Sequence, residues 1–351
     1  MKWRFPALMP SGRLRRPVRR IIAVQAGPNP SFDYYLGPRL RRFGKMPYEI
    51  VDIDRVPSLL DAERLDGTLI LFCRYLTAAW LDLIEARGGI LAGVALFLDD
   101  DIDALFADRS VPADYKLRLL RLHLSHRRRL ASCLDLLYVA NPRIAERDSL
   151  AELRLLSPMS GPRDEPRSRE PQIGLRVAFH STSVHRGEHR WLRPVLRDAL
   201  KAEPGITAEV AAGLRLRLLW RGQRGIRFLR SRSWPDFRRD TAERGADLLL
   251  APLLPSPANA ARAATKRIDA MRLGAALLVS DAEIYKPNAE ELALGMCVPI
   301  EPGRWSQALV ALAHDRPRLE RLRDLNRAHV ETMNARAEPL LRPKELAGLN
   351  L

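Results

Sequence analysis

The chain has 351 residues, 46% of them hydrophobic, which suits two cored domains better than one. Lysine and arginine number 58 against 42 aspartates and glutamates, a net charge of +16 that points to an anionic partner: nucleic acid, an acidic membrane surface or a phosphorylated substrate. Three cysteines, Cys73, Cys133 and Cys297, lie far apart with no C-x-x-C pair, which argues against a disulfide framework or zinc site and for a reducing cytoplasm.

Residues 1–20 form a basic arm with no apolar core of the kind a signal peptide carries. The arm reads as disordered, or as a contact with the inner face of an anionic membrane. No apolar run approaches the roughly 18 residues of a transmembrane helix. Residues 21–156 alternate strand and helix signals, as in a parallel, Rossmann-like sheet. Strands are expected at 21–26, 48–53, 68–72, 94–98 and 135–140. After the first strand, Gly27, Pro28, Asn29 and Pro30 force a turn and Ser31 can cap a helix. Tyr34 sits there, facing a ligand or packing. The third strand ends at Cys73-Arg74-Tyr75, and the fourth runs into Asp99-Asp100-Asp101. One of these aspartates can cap the next helix, and the others are candidates for acceptor contact or a general base. A metal-holding Asp-x-Asp is the rival reading. Residues 115–134 read as one basic helix, with His123 and His126 on a solvated face.

Residues 157–172 are rich in Pro, Ser and charge, lack apolar periodicity, and mark the domain boundary. A second strand–helix series fills 173–315, and residues 316–351 form a terminal helix and tail. Strands are expected at 175–180, 207–212, 216–220, 248–252, 276–279 and 297–300. Ser181 and Thr182 follow the first of these, in a turn that lets short hydroxylated side chains approach a phosphate. A helix is expected over 259–273, with Asn259 as N-cap and Gly274 just past its end. Asn259, Arg262, Lys266 and Asp269 recur at steps of three, four and three, so they share one face, bordered by Thr265. Ala260, Ala264, Ile268 and Met271 lie opposite, and Arg267 points away from the stripe. Two cations near a helix N-terminus, beyond the end of a strand, suit a diphosphate.

The stretch 246–285 resembles the donor-binding region of GT-B glycosyltransferases, especially bacterial family-1-like enzymes. Asn259, Lys266, Asp269, Gly274, Ser280 and Tyr285 carry the likeness. Many relatives have two glutamates with seven residues between them; here Asp269 stands at the second position and Ala261 at the first. The segment from Ser181 through His185 resembles the opening of the family's C-terminal domain, with His180 and Ser181 replacing a small residue and glycine. The resemblance implies a GT-B fold: two Rossmann-like domains with parallel sheets facing a cleft. It implies transfer from a nucleotide-diphospho-sugar to a polysaccharide, glycolipid or other acceptor, with retention of configuration and a terminal helix that returns to the N-terminal domain. On that reading Lys266, Arg262 and His185 are catalytic. Ser181, Thr182, Asn259, Thr265, Asp269 and Tyr285 bind the donor. Tyr34, Arg74, Asp99, Asp100 and Asp101 lie on the acceptor side. No metal or dedicated cofactor is expected, since the nucleotide-sugar is a co-substrate. Two alternatives are an inactive GT-B-like scaffold and a basic nucleic-acid-binding protein, although no nucleic-acid recognition motif is present.

Overall fold

A computed structural model describes residues 5–57, 62–144, 153–164 and 174–347. It contains two six-stranded sheets, parallel throughout. The first sheet comprises β1 (Arg20–Gln25), β2 (Tyr48–Asp52), β3 (Thr68–Cys73), β4 (Gly93–Leu98), β5 (Leu136–Val139) and β6 (Leu153–Leu155), in spatial order β2-β1-β3-β4-β5-β6. The second comprises β7 (Leu175–Phe179), β8 (Ile206–Ala211), β9 (Ile226–Leu229), β10 (Leu248–Ala251), β11 (Ala276–Ser280) and β12 (Cys297–Val298), in order β12-β11-β10-β7-β8-β9. Strands β3, β4, β5, β10 and β11 are buried along their whole length, because helices cover both sheet faces. The first domain's helices are α1 (Gly37–Arg42), α2 (Ala62–Leu65), α3 (Ala78–Arg87), α4 (Ile102–Ala107), α5 (Ala113–Leu122) and α6 (Arg127–Cys133). The second has α7 (Arg186–Ala202), α8 (Leu214–Arg217), α9 (Trp234–Arg244), α10 (Pro257–Ala260), α11 (Thr265–Leu273), α12 (Ala289–Ala293), α13 (Pro302–Ala313) and α14 (Arg316–Ala335).

Each sheet reverses its winding once: between β1 and β3 in the first, and between β7 and β10 in the second. Loops on either side of such a point leave in opposite directions and open a crevice at the carboxyl ends of the strands. Every site residue predicted from the sequence lies on these loops or on the elements that they lead into, except Tyr285 and the three aspartates Asp99, Asp100 and Asp101, which follow the neighbouring strand β4.

The end of the chain returns to the first domain. Beyond α14, the Ser157 hydroxyl donates to Glu338 at 2.7 Å and Arg39 Nε donates to the Glu338 carbonyl at 2.8 Å. The Tyr138 hydroxyl donates to the Leu340 carbonyl, Arg154 pairs with Glu345, and Val18 bridges Leu346. Leu340 and Leu341 are buried in the first domain's core.

Several expectations are corrected. Residues 5–20 do not form a free arm: Leu8 and Val18 are buried, Arg15 pairs with Asp135 at 3.1 Å, and Arg16 and Arg19 both reach Asp66. Residues 1–4 lie outside the described residues, as do 165–172 of the expected linker. The described part, 157–164, is packed: Met159 N donates to the Tyr34 carbonyl at 2.7 Å, and buried Asp164 pairs with Arg238 at 2.5 Å. The run 216–220 is not a strand. Leu216 and Trp220 are buried while Leu214 and Leu218 are exposed, a helical spacing that fits α8 and the 3₁₀ turn Leu218–Trp220. The strand is instead β9, inside the arginine-rich run. The basic helix over 115–134 is broken at His123, whose φ is −143°. His123 is not solvated: it is buried, with Nδ1 2.9 Å from the Arg74 carbonyl.

Arg267 is also not on a solvent-facing side. It is fully buried, meets Glu291 at 2.7 and 3.1 Å, and donates twice to the Tyr285 carbonyl. Removing one partner of such a pair strands the other charge in the interior, at a cost of about 3–5 kcal/mol. Arg267→Ala should lose that much in urea denaturation. Arg267→Met with Glu291→Leu should recover most of the loss, and equal stability of Arg267→Ala and the parent chain would contradict the burial.

Candidate functional site

The second domain's wall is built where β7 and β10 diverge. After β10, Ser256 accepts a hydrogen bond from Asn259 N at 3.1 Å and caps α10, with Pro257 in its first turn. The helix then stops. The side-chain amide of Asn141, from the first domain, donates to the carbonyls of Arg262 at 2.7 Å and Ala260 at 3.4 Å. Those carbonyls are thereby occupied, and helix resumes only at Thr265. The single helix expected over 259–273 is therefore two, and Asn259 is not its N-cap. Gly274 does end α11, with φ 61° in the left-handed region. Ile268 and Met271 do not face the second sheet; they join the cluster containing Tyr34, Tyr35 and Leu36.

The polar stripe survives the break. Asn259 Nδ2 donates to Glu188 on α7 at 2.7 Å, and Asn259 Oδ1 accepts from Arg262 Nε at 3.0 Å. His185 Nδ1 lies 3.6 Å from Glu188. Burial opposes ionisation of Glu188, yet bonds from His185 and Asn259 outweigh it and hold the carboxyl at about 2. His185 is pushed down by burial and then by neighbouring Arg262. Lys266 Nζ donates to the His180 carbonyl and to Asp269 Oδ2, both at 2.8 Å. Asp269 Oδ1 accepts from the Tyr34 hydroxyl at 2.6 Å and lies 3.4 Å from Arg272. Ser181 meets His189 Nε2 at 2.9 Å, while Trp220 Nε1 donates to His189 Nδ1. Burial lowers His189 to about 4, so it is neutral near pH 7; its free proton is on Nε2 and points to Ser181. Thr182 is exposed and Thr265 opens α11. Tyr285 is sealed in the core and offers its carbonyl to Arg267.

The first domain's wall centres on Arg74, whose φ of 69° is unusual for a residue with a side chain. Its guanidinium meets Asp99 at 3.3 Å, Asp100 at 3.0 Å and the Tyr115 hydroxyl at 2.8 Å. Ser31 donates to Asp99 at 2.5 Å rather than capping the next turn, where Asn29 Oδ1 accepts from Phe32 N. Burial raises the Asp99 pKa more than Arg74 lowers it. Asp100 is shifted down because Arg262 and Arg74 together outweigh its burial. Asp101 faces away from the cleft chemistry and caps α4 through Ala104 N at 2.8 Å. The three aspartates thus do different jobs, and two of them pair with guanidinium groups. Among the described residues, no group of three or more His, Cys, Asp or Glu could hold a metal.

The two walls touch. Arg262 reaches Asp100 at 3.4 Å, Tyr34 reaches Asp269, and Trp234 Nε1 and Arg238 both donate to Asp33, at 2.8 and 2.9 Å. Arg262, Lys266 and His185 converge, close enough that both cations lower the histidine's pKa. The sequence reading missed Glu188, Asn141 and Tyr115. Glu188 sits one helical turn from His185, a spacing that carries meaning only once His185 is placed in a site. Asn141 read simply as the end of a strand.

No family model matches the sequence, and neither does any curated protein. Solved structures do match in three dimensions. A mutant O-GlcNAc transferase from Thermobaculum terrenum aligns with TM-score 0.52 and 14% identity, over 95% of this chain and 66% of that one. Anabaena HepE, solved with UDP and glucose, aligns at 0.55 and 14%, over 90% and 97%. A glycosyltransferase from Rickettsia africae aligns at 0.57 and 10%, over 90% and 94%. The chain has the GT-B fold. At these identities the likeness is one of fold, and the chain spans 66% of the first protein's length.

Within this GT-B cleft, Asp269 is a buried carboxylate held in its charged form by its neighbours. Burial alone would raise its pKa, but Lys266 and Arg272 hold it well below the usual range. A depressed folded-state pKa contributes stability above the unfolded value of about 3.9, and that stability is lost as pH falls toward the folded pKa. Urea denaturation from pH 5 downward should therefore show an acid-side loss that Asp269→Asn diminishes. An unchanged slope would refute the coupling.

Proposed function

We propose that the chain is a glycosyltransferase that moves a sugar from a nucleoside-diphosphate sugar to a sugar or lipid-linked acceptor without a metal ion. The observation that carries this reading is Lys266 donating to the His180 carbonyl in the turn after β7, at the switch point of the second sheet, with Arg262 bonded to Asn259, which in turn bonds Glu188 of α7. Negative charge grows on the diphosphate as the glycosidic bond breaks. Fixed cations stabilise that charge more in the transition state than in the bound substrate. Lys266, held by the His180 carbonyl and Asp269, serves as the point charge, while Arg262 supplies a planar fork once the ligand replaces Asp100. Ser181, Thr182 and Thr265 provide short hydroxyls where the phosphates approach. Asp269 orients Lys266 in this reading, because both of its oxygens are already engaged.

On the acceptor side, Arg74 and Asp100 line the facing wall. Asp99, with its raised pKa, is suited to take a proton from an acceptor hydroxyl. Hexosyl transfer with retention, and an acceptor from surface-polysaccharide or glycolipid synthesis, are the finer parts of the proposal and rest on the family resemblance. The anomeric configuration of the first-formed product, read by proton NMR, tests the former.

Thermal-shift screening of nucleoside diphosphates is the direct test, since a ligand at a hundred times its Kd stabilises by about 2.7 kcal/mol. A hydrogen bond to a charged group contributes roughly 1.5–3 kcal/mol, so Lys266→Ala should weaken diphosphate binding about ten- to a hundredfold, with transfer falling at least as far. Arg239→Ala, on the exposed side of α9, is the control and should bind like the parent chain. Unaltered binding by Lys266→Ala would move the donor site elsewhere. Transfer should also persist in EDTA; strict dependence on Mg²⁺ or Mn²⁺, lost in Asp99→Ala, would favour a metal at the aspartates.

A further inference from the structure

Between Glu209 and Asp236 the chain has no carboxylate side chain and seven arginines. The fold gives this run a shape. After β8, α8 and the 3₁₀ turn bury Leu216 and Trp220 against the second domain's core. Leu214 and Leu218, four residues apart, point the other way and are 82% and 72% exposed, more than any other large hydrophobic side chain among the described residues. Arg215, Arg221, Arg224 and Arg230 are exposed in the same run, and none forms an ion pair among the described residues. The N-terminal segment differs: its Arg15, Arg16 and Arg19 are neutralised by Asp135 and Asp66.

We propose that this face docks on an anionic lipid bilayer, with Leu214 and Leu218 entering the boundary between headgroups and acyl chains and the arginines meeting lipid phosphates. A surface of one sign with unpaired guanidinium groups calls for an anionic partner, and arginine suits phosphate because its fork is planar and weakly hydrated. The protruding aliphatic pair decides between polyanions. Single-stranded nucleic acid is held by exposed aromatic rings, on which bases stack. Here Trp220 is buried, and Phe228 is half-buried beneath the Arg217 guanidinium, 5.5 Å from its ring centre. Leucines inserted into hydrocarbon gain what they forgo in water.

The placement has a use. Leu214 follows the carboxyl end of β8, and β8 pairs with β7, whose own carboxyl end leads into the Ser181 turn. A bilayer on this face lies beside the mouth of the cleft, so a lipid-linked substrate reaches it laterally. The docking inference does not depend on the transferase reading.

The test uses the full chain in sedimentation with phosphatidylcholine vesicles and with vesicles enriched in phosphatidylglycerol, at low and high salt. Binding should require the anionic lipid and weaken with salt. Leu214→Ser with Leu218→Ser should lower binding at least about tenfold, since the pair supplies much of the apolar contact. Arg215→Glu with Arg221→Glu should do the same. Thermal stability and diphosphate-induced shifts should stay as in the parent chain in both variants. Leu117→Ser with Leu120→Ser, at the other exposed leucine pair on α5, should leave vesicle binding unchanged. The proposal is overturned if anionic vesicles do not bind, if the Leu214/Leu218 variant binds fully, or if loss follows the α5 variant. It is overturned equally if light scattering shows a dimer that these leucine substitutions dissociate, or if RNA displaces the vesicles and binds both leucine variants alike.

Discussion

A buried aspartate joins the two halves of this molecule. Asp269 sits on α11, accepts from Tyr34 of the opposite domain, and is held by Lys266 and Arg272 of its own helix. A carboxylate taken out of water is tolerated only when its partners satisfy nearly all of its oxygens. Here that requirement fixes three things at once: the rotation of α11, the direction of Lys266, and the approach of the first domain. The neighbouring buried pair Arg267–Glu291 pins the other side of the same helix against α12. With charges anchored on both sides, α11 has little freedom to roll, and the Lys266 ammonium is presented toward the turn after β7 with small entropic loss on engaging a ligand.

The cleft carries its own counter-ions. Asp100 stands on Arg74 and Arg262, while Asp269 stands on Lys266. Without these carboxylates, cations on both walls would repel and hold the domains apart. With them, the walls meet, and on the proposed reading an incoming anion exchanges places with Asp100. The apparent affinity of such a ligand is its intrinsic affinity reduced by the fraction of molecules already open.

Much of the architecture is legible in the residues. The apolar runs at 68–72, 94–98 and 276–279 are strands because they are buried on both faces, and such runs need no periodicity to be recognised. Two Rossmann-like parallel sheets follow from alternation of strand and helix, whereas the GT-B arrangement was what the family resemblance implied. What failed is instructive. The run 216–220 is apolar enough for a strand, but only every fourth side chain is inside. The helix over 259–273 was read from its own periodicity, whereas its break is imposed by Asn141, more than a hundred residues away. Arg267 and His123 look like solvated polar residues, and only tertiary partners reveal that they are buried. The site stripe of Asn259, Arg262, Lys266 and Asp269 was visible as spacing. That Asp100 and Glu188 would be its counter-charges was not, since no local pattern encodes a contact across a cleft.

The return of the chain beyond α14 bears on synthesis. The first domain's sheet is flanked by Val18 pairing with Leu346, and its core includes Leu340 and Leu341. Domains usually complete their folding in order as they emerge from the ribosome, at about 5–20 residues per second. This one cannot. The first domain must wait through the making of the second, with part of its core uncovered, until residues 340–346 emerge. For some ten seconds or more at those rates, β5 and β6 depend on their own hydrogen bonds and on whatever chaperone shields them. Residues 340–346 are therefore made long after the first-domain core that they cover.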